Sequence, residues 1–207
     1  MVGRPSRAPE VRRTILDGAA EIFSRQGYRA TSMNEIAGAV GLSKPTLYHY
    51  FRNKEEILVR LYEEVMADAI ANATEVAESL DEPLEVLRRL LVYRVRATCE
   101  RQSMYKVFFE EEAEVPAELI ETVLEQRRQY EGILRDQVVR HLGDLKHPPP
   151  IEPTIFVNAC LGAANWVYKW YSPGGGLSPE QLGQEIASYV LRPLAAQRPL
   201  VEERAGL

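Results

Sequence analysis

The chain is poor in the features that mark several protein classes. Cysteine occurs only twice in 207 residues, as Cys99 and Cys160, and the pair lacks metal-ligand spacing. A disulfide scaffold is thereby excluded. Both cysteines fall inside apolar helical patterns and read as buried free thiols of a reducing cytoplasm, the expected location of the protein. No stretch approaches about 18 consecutive apolar residues, so a membrane partner is not expected. The opening MVGRPSRAPEVRR has no apolar run ahead of a cleavage site and does not read as a secretion signal. Strand-like alternation, internal repeats and low-complexity tracts are also missing.

The residues of catalysis are equally sparse. No Ser/His/Asp or Cys/His arrangement stands out, and Gly174, Gly175 and Gly176 follow a helical pattern, where they read as an interhelical loop. His141 and His147 are six apart beside a proline-rich loop, a poor metal spacing. The acidic run Glu110, Glu111, Glu112 with Glu114 reads as a solvated helix face. No catalytic residue, metal or resident cofactor is expected.

What is present is charge asymmetry and helix. The formal net charge is −5, which by itself disfavours nucleic acid. Residues 1–60, however, hold ten Lys/Arg against six Asp/Glu, a net of +4, leaving 15 against 24, a net of −9, for the rest. A phosphate-binding footprint needs only one positive face. Helical periodicity runs over residues 11–26 through Ile15, Leu16, Ala19, Ala20, Ile22 and Phe23 and stops at Gly27. Thr31 or Ser32 opens a short second helix, with Ser32 and Glu35 spaced as a capping box. Ser43 caps a third, in which Pro45 is tolerated because first-turn amides have no intrahelical partner. Asn53 with Glu56 starts a long fourth helix to about Ser79. Further helices are expected over 83–100, 104–112, 116–141, 154–171 and, after the loop SPGGG and a Ser178 cap, to about Leu194. The predicted fold is all-α with about nine helices: a basic head over 1–52 and an acidic helical body over 53–207.

Helices two and three, separated by Gly41-Leu42, have the dimensions of a helix-turn-helix. Ile36, Ala37, Leu42, Leu47 and Phe51 would pin them together, Leu47 and Phe51 sharing a face at four-residue spacing. Tyr48 lies at the edge of that face, while Lys44, Pro45, Thr46, His49 and Tyr50 point elsewhere. In a recognition helix, Lys44 can donate to guanine and Thr46 or Pro45 can touch a thymine methyl. Tyrosine hydroxyls and an imidazole can donate to phosphate oxygens. Lys54, with the first amides of the fourth helix, offers another phosphate site. Arg4, Arg7, Arg12 and Arg13 could form a basic arm.

The stretch ILDGAAEIFSRQGYRATSMNEIAGAVGLSKPTLYHYFRNKEEIL, Ile15 to Leu58, resembles the N-terminal domain of the TetR family of bacterial transcriptional repressors. The shared residues include Ala19, Phe23, Gly27-Tyr28, Thr31, Ile36-Ala37, Gly41, Ser43, Thr46 to Phe51 and Lys54-Glu55. The resemblance implies DNA contacts at Thr31, Lys44, Thr46, Tyr48, His49, Tyr50 and Lys54. Pro45 stands where the family varies, so base preference does not transfer. The resemblance also implies an all-helical homodimer on double-stranded operator DNA, with an effector pocket in the body and dimerisation through the last two long helices. Here those helices carry Phe156, Cys160, Ala163, Ala164 and Val167, then Leu182, Ile186, Tyr189 and Val190. An apolar patch of that size must be covered.

Two segments of the body, QRRQYEGILRDQV and NWVYKWYSPGGGLSPEQL, look like those of TetR-like proteins that sense acyl-coenzyme A thioesters. An acyl chain wants an apolar, aromatic-lined cavity, for which Tyr93, Tyr105, Phe108, Phe109, Tyr130, Trp166 and Trp170 are candidates. Nucleotide phosphates want cations, and Arg94, Arg96, Arg127, Arg128 or Lys169 could serve, with Asn165 beside them. The expectation is a ligand-responsive repressor released by a small hydrophobic effector, with acyl-CoA the first choice. The alternatives are a repressor answering drugs or other lipophilic compounds, and a helical ligand-binding protein without a DNA function.

Overall fold

A computed structural model describes residues 8–195, with the side chain of Glu118 left aside. Arg4 and Arg7 of the expected basic arm lie outside the described residues. The helices in chain order are α1 (Ala8–Gln26), α2 (Met33–Ala39), α3 (Lys44–Tyr50), α4 (Lys54–Ser79), α5 (Pro83–Glu100), α6 (Gln102–Glu110), α7 (Ala117–Gly143), α8 (Pro153–Asn165), α9 (Val167–Trp170), α10 (Pro179–Val190) and α11 (Arg192–Ala195). One turn of 3₁₀ helix, Glu112–Glu114, precedes α7. The four-residue α9 and α11 continue α8 and α10 after single-residue breaks at Trp166 and Leu191, which among the described residues agrees with the expected number of about nine. No described helix is long and apolar enough to cross a membrane.

The boundaries follow local chemistry. Gly27, at φ 86°, ends α1, and Gly41, at φ 67°, makes the turn before α3, both in the left-handed region that favours glycine. Ser32 and Glu35 form the full capping box of α2. At α4 the box is displaced by one residue. Asn53 Oδ1 accepts the Glu56 amide at 2.8 Å, while the Glu56 carboxylate accepts the Arg52 amide rather than that of Asn53. Ser178 and Gln181 box the start of α10.

By packing, the chain forms two compact units, residues 8–67 with 101–125 and residues 68–100 with 126–195. They cut the chain differently from the 1–52 and 53–207 division, because α6 packs on α1. In the first unit, Ile15, Phe23, Ile36, Leu47 and Phe51 are all but fully buried. Each such side chain contributes about 1.5–3 kcal/mol by leaving water. In the second unit α10 packs chiefly on α5, and α8 on both. Gly183 makes the α5–α10 approach possible: a Cβ there would stand 3.0 Å from both Cα and O of Val92.

Candidate nucleic-acid interface and helical body

The recognition helix sorts its rings by position. Leu47 and Phe51 face the core and Tyr48 is 43% exposed. His49, Lys44 and Pro45 are exposed, and Thr46 and Tyr50 half-exposed. His49 meets Tyr50 edge-on at 5.4 Å between ring centres. The Lys44 ammonium stands 5.8 Å over Tyr48, and the Arg12 guanidinium 5.9 Å over Tyr50. Cations and ring hydroxyls therefore share one surface of a basic head, a combination suited to sugar-phosphate.

Two residues expected at that surface are committed elsewhere. Thr31 is buried, and its hydroxyl donates to the Gly27 carbonyl at 2.9 Å. The Lys54 ammonium donates to the carbonyl oxygens of Tyr28, Arg29 and Thr31 at 2.8, 3.1 and 3.0 Å. Three donors meet three acceptors, so the cation clamps the α1–α2 turn. It also stands 4.4 Å over the Tyr28 ring. Burial, then the charges of Glu55 and Glu114, hold the Tyr28 hydroxyl above its usual range. At the start of α2, hydrogen bonds from Ser32 hold the Glu35 carboxyl below the usual range, with smaller help from Gln26 and Lys54.

The acidic run expected as a solvated face is largely tied down. Glu111 accepts the Tyr28 amide at 3.1 Å, and Glu114 accepts from Arg29 at 2.8 Å. On the same side Lys106 donates to the Ser24 carbonyl and Ser103 to Glu21. These partners lie about eighty residues apart in sequence, and no local pattern announces them.

The candidate effector residues fall in both units, with Tyr105, Phe108 and Phe109 in the first and Tyr93, Arg94, Trp166, Lys169 and Trp170 in the second. Tyr105 and Phe108 are buried, with Phe108 at 4.9 Å from Tyr62 and 5.2 Å from the half-buried Phe109, and these rings form core of the first unit. In the second unit, Trp166 and Trp170 are 58% and 53% exposed. Lys169 is exposed, its ammonium 5.8 Å from the Trp166 ring. Arg128 is exposed and Arg127 half-buried. Arg94 and Tyr130 do meet, both buried, with the guanidinium 4.5 Å over the ring and Nε 3.4 Å from the hydroxyl. The Oδ1 of Asn165 and the Oε1 of Gln126 are shielded from solvent without a donor. Tyr93 lines a cleft of about 430 Å³ between α4, α5 and α10.

The expected dimer residues also divide. Cys160, Ala164, Val167 and Leu182 are core of the second unit, since helical spacing alone does not say which apolar face a neighbour covers. Phe156, Ile186 and Val190 are half-buried and Ala163 and Tyr189 exposed. The uncovered stripe is Ile155, Ala159, Gly162 and Ala163 on α8 with Trp166 just past its end, spaced at one helical face, and Tyr189 on α10; Ile155 is 68% and Tyr189 76% exposed. Burial raises the Cys160 thiol to about 12 and the Cys99 thiol to about 11.

A helix-turn-helix head with a cationic, aromatic edge, followed by an all-helical body bearing an uncovered apolar stripe, defines the class of helix-turn-helix proteins with a helical C-terminal region. Residues 15–61 match the family described as "Bacterial regulatory proteins, tetR family", and residues 80–194 match "Tetracyclin repressor-like, C-terminal domain". The chain belongs to the TetR family of transcriptional regulators. The HTH-type transcriptional repressor KstR2 of Mycolicibacterium smegmatis is 29% identical over 194 residues, covering 90% of this chain and 92% of that protein. The crystal structure of the TetR family regulator PfmR from Thermus thermophilus superposes with a TM-score of 0.77 at 28% identity, covering 86% of this chain and 97% of that one. AibR in complex with isovaleryl coenzyme A and operator DNA superposes with a TM-score of 0.72 at 27% identity, covering 86% and 96%.

Proposed function

We propose that the protein is a ligand-controlled transcriptional repressor, a cytoplasmic homodimer that binds a palindromic operator and is released by an acyl-CoA thioester. The observation that carries the reading is the exposed edge of α3, where Tyr48, His49 and Lys44 stand clear of a core held by Leu47 and Phe51. A small head leaves such rings in water only at a cost, and sugar-phosphate contact gives them a use. Residues 1–52 act as the DNA-reading part and 53–207 as the part for effector and dimerisation. The apolar stripe on α8 and α10 supports a second copy of the chain as its cover, because two-fold symmetry lets one patch serve both subunits. Two heads on one axis then call for a palindrome.

Support for the effector comes from a relative: AibR has been crystallised with isovaleryl coenzyme A and operator DNA together. An effector that prefers the shape unable to bind DNA weakens operator affinity by the factor by which DNA weakens effector binding. Helix α4, uninterrupted from Lys54 to Ser79, is the proposed transmitter. Sequencing of genomic fragments retained by the protein, followed by gel shifts with and without acyl-CoA, tests the whole reading. A palindromic site released by acyl-CoA is expected. Retention of random fragments, or a site indifferent to every acyl-CoA, contradicts it.

A further inference from the structure

The cleft between α4, α5 and α10 is built for a particular chemistry. Its wall on α5 carries Arg88, Arg89 and Arg96, against the carboxylates of Glu85 and Glu180. Glu85 lies 3.0 Å from Arg89 and 3.7 Å from Arg88, and Glu180 lies 3.7 Å from Arg96. Among the lining residues the cations are three and the carboxylates two, with Glu100 a further partner 3.9 Å from Arg96. From Arg88 to Arg96 is eight residues, about 12 Å along the helix, wider than one phosphate. Between them the Tyr93 ring also lines the cleft, with the Arg96 guanidinium 5.7 Å over it. Two amides, Asn72 from α4 and Gln184 from α10, complete the lining. At about 430 Å³ the space is of small-ligand size.

We infer that this cleft binds a nucleotide carrying more than one phosphate, with the phosphates on the arginines of α5 and the base on Tyr93. Guanidinium groups suit this task because their planar forks take phosphate oxygens two at a time and stack on aromatic rings. The carboxylates keep the arginines extended until a more highly charged anion displaces them. The nucleotide end of coenzyme A and a free nucleotide such as ATP share this chemistry. The first source deepens the effector reading and rests on it; the cleft itself does not.

The test is isothermal titration of the full-length protein with adenosine 3′,5′-bisphosphate, CoA and ATP, using wild type and the Arg89→Gln/Arg96→Gln variant. Both side chains are substantially exposed, so folding is expected to survive, as circular dichroism would verify; Arg89→Gln alone is the fallback. Saturable binding weakened at least tenfold in the variant supports the inference. Bisphosphate and CoA binding without ATP points to the thioester as source, and ATP binding of equal strength to a free nucleotide. Octanoyl-pantetheine, which lacks the nucleotide, should bind both proteins alike. Wild-type affinity in the variant, or no saturable binding of the three nucleotides, overturns the inference. Gel shifts with octanoyl-CoA read the effector reading separately: release of DNA by an acyl-CoA that ignores both substitutions sinks the cleft and spares the effector.

Discussion

The Lys54 ammonium and the Tyr28 carbonyl oxygen lie 2.8 Å apart, across twenty-six residues of sequence, and this contact fixes the turn that aims α2. Two more carbonyls, of Arg29 and Thr31, complete the clamp. Lys54→Met is therefore expected to cost stability, about 1–2 kcal/mol for lost charge-assisted hydrogen bonds. Lys44→Ala, at an exposed site, should leave the melting temperature unchanged and weaken DNA binding. Thermal melts alongside operator titrations separate the two. Equal melting temperatures for Lys54→Met and wild type would contradict the clamp.

Gly183→Ala should push α10 away from α5. The new methyl would meet the Val92 backbone at 3.0 Å, and backbone cannot rotate aside. A loss of about 1–3 kcal/mol is expected, in the range of overpacked cores. Gly18→Ala is the informative contrast: its Cβ would fall 2.3 Å from Val40 Cγ1, the end of a half-exposed side chain that can adopt another rotamer. Denaturant unfolding should rank Gly183→Ala as the worse of the two.

The α2 capping box should weaken in acid. The folded-state pKa of Glu35 is depressed, chiefly by hydrogen bonds from Ser32. Its contribution is therefore present above the unfolded carboxylate value, about 4.3, and is lost as pH falls through the lower folded value. Glu35→Ala should melt earlier than wild type at pH 7, and the gap should close on acidification. A gap that is constant down to pH 3 would show that the carboxylate charge plays no part.

Ala163 lies on the uncovered face of α8, and Ala163→Arg places a charge there without touching the chain's own core. Sedimentation should turn a dimer into a folded monomer, with operator affinity falling because one head alone reads one half-site. An unchanged dimer would mean that another surface joins the subunits.

Much of the head was legible in the sequence because its signals are local. Ser32 with Glu35, Gly27, Gly41 and the spacing of Leu47 and Phe51 each act within a few residues. The clamp by Lys54 and the contacts of Glu111 and Glu114 with the α1–α2 turn were not legible, since each joins segments far apart in sequence. The same limit applies in the body. Periodicity marks Cys160 and Ala163 alike as apolar helix, yet Cys160 is core and Ala163 is surface. The aromatic residues show the same limit: Phe108 packs against Tyr62, while Trp166 is 58% exposed, and helical spacing does not distinguish them.

The most direct test of the account is operator affinity of the Tyr48→Ala/His49→Ala variant, measured by anisotropy on the fragment that wild-type protein selects from genomic DNA. Both side chains are exposed, so the fold should be intact, and affinity should fall by about tenfold or more as phosphate contacts are lost. A variant that melts like wild type and binds the fragment equally well would contradict the assignment of this edge to DNA.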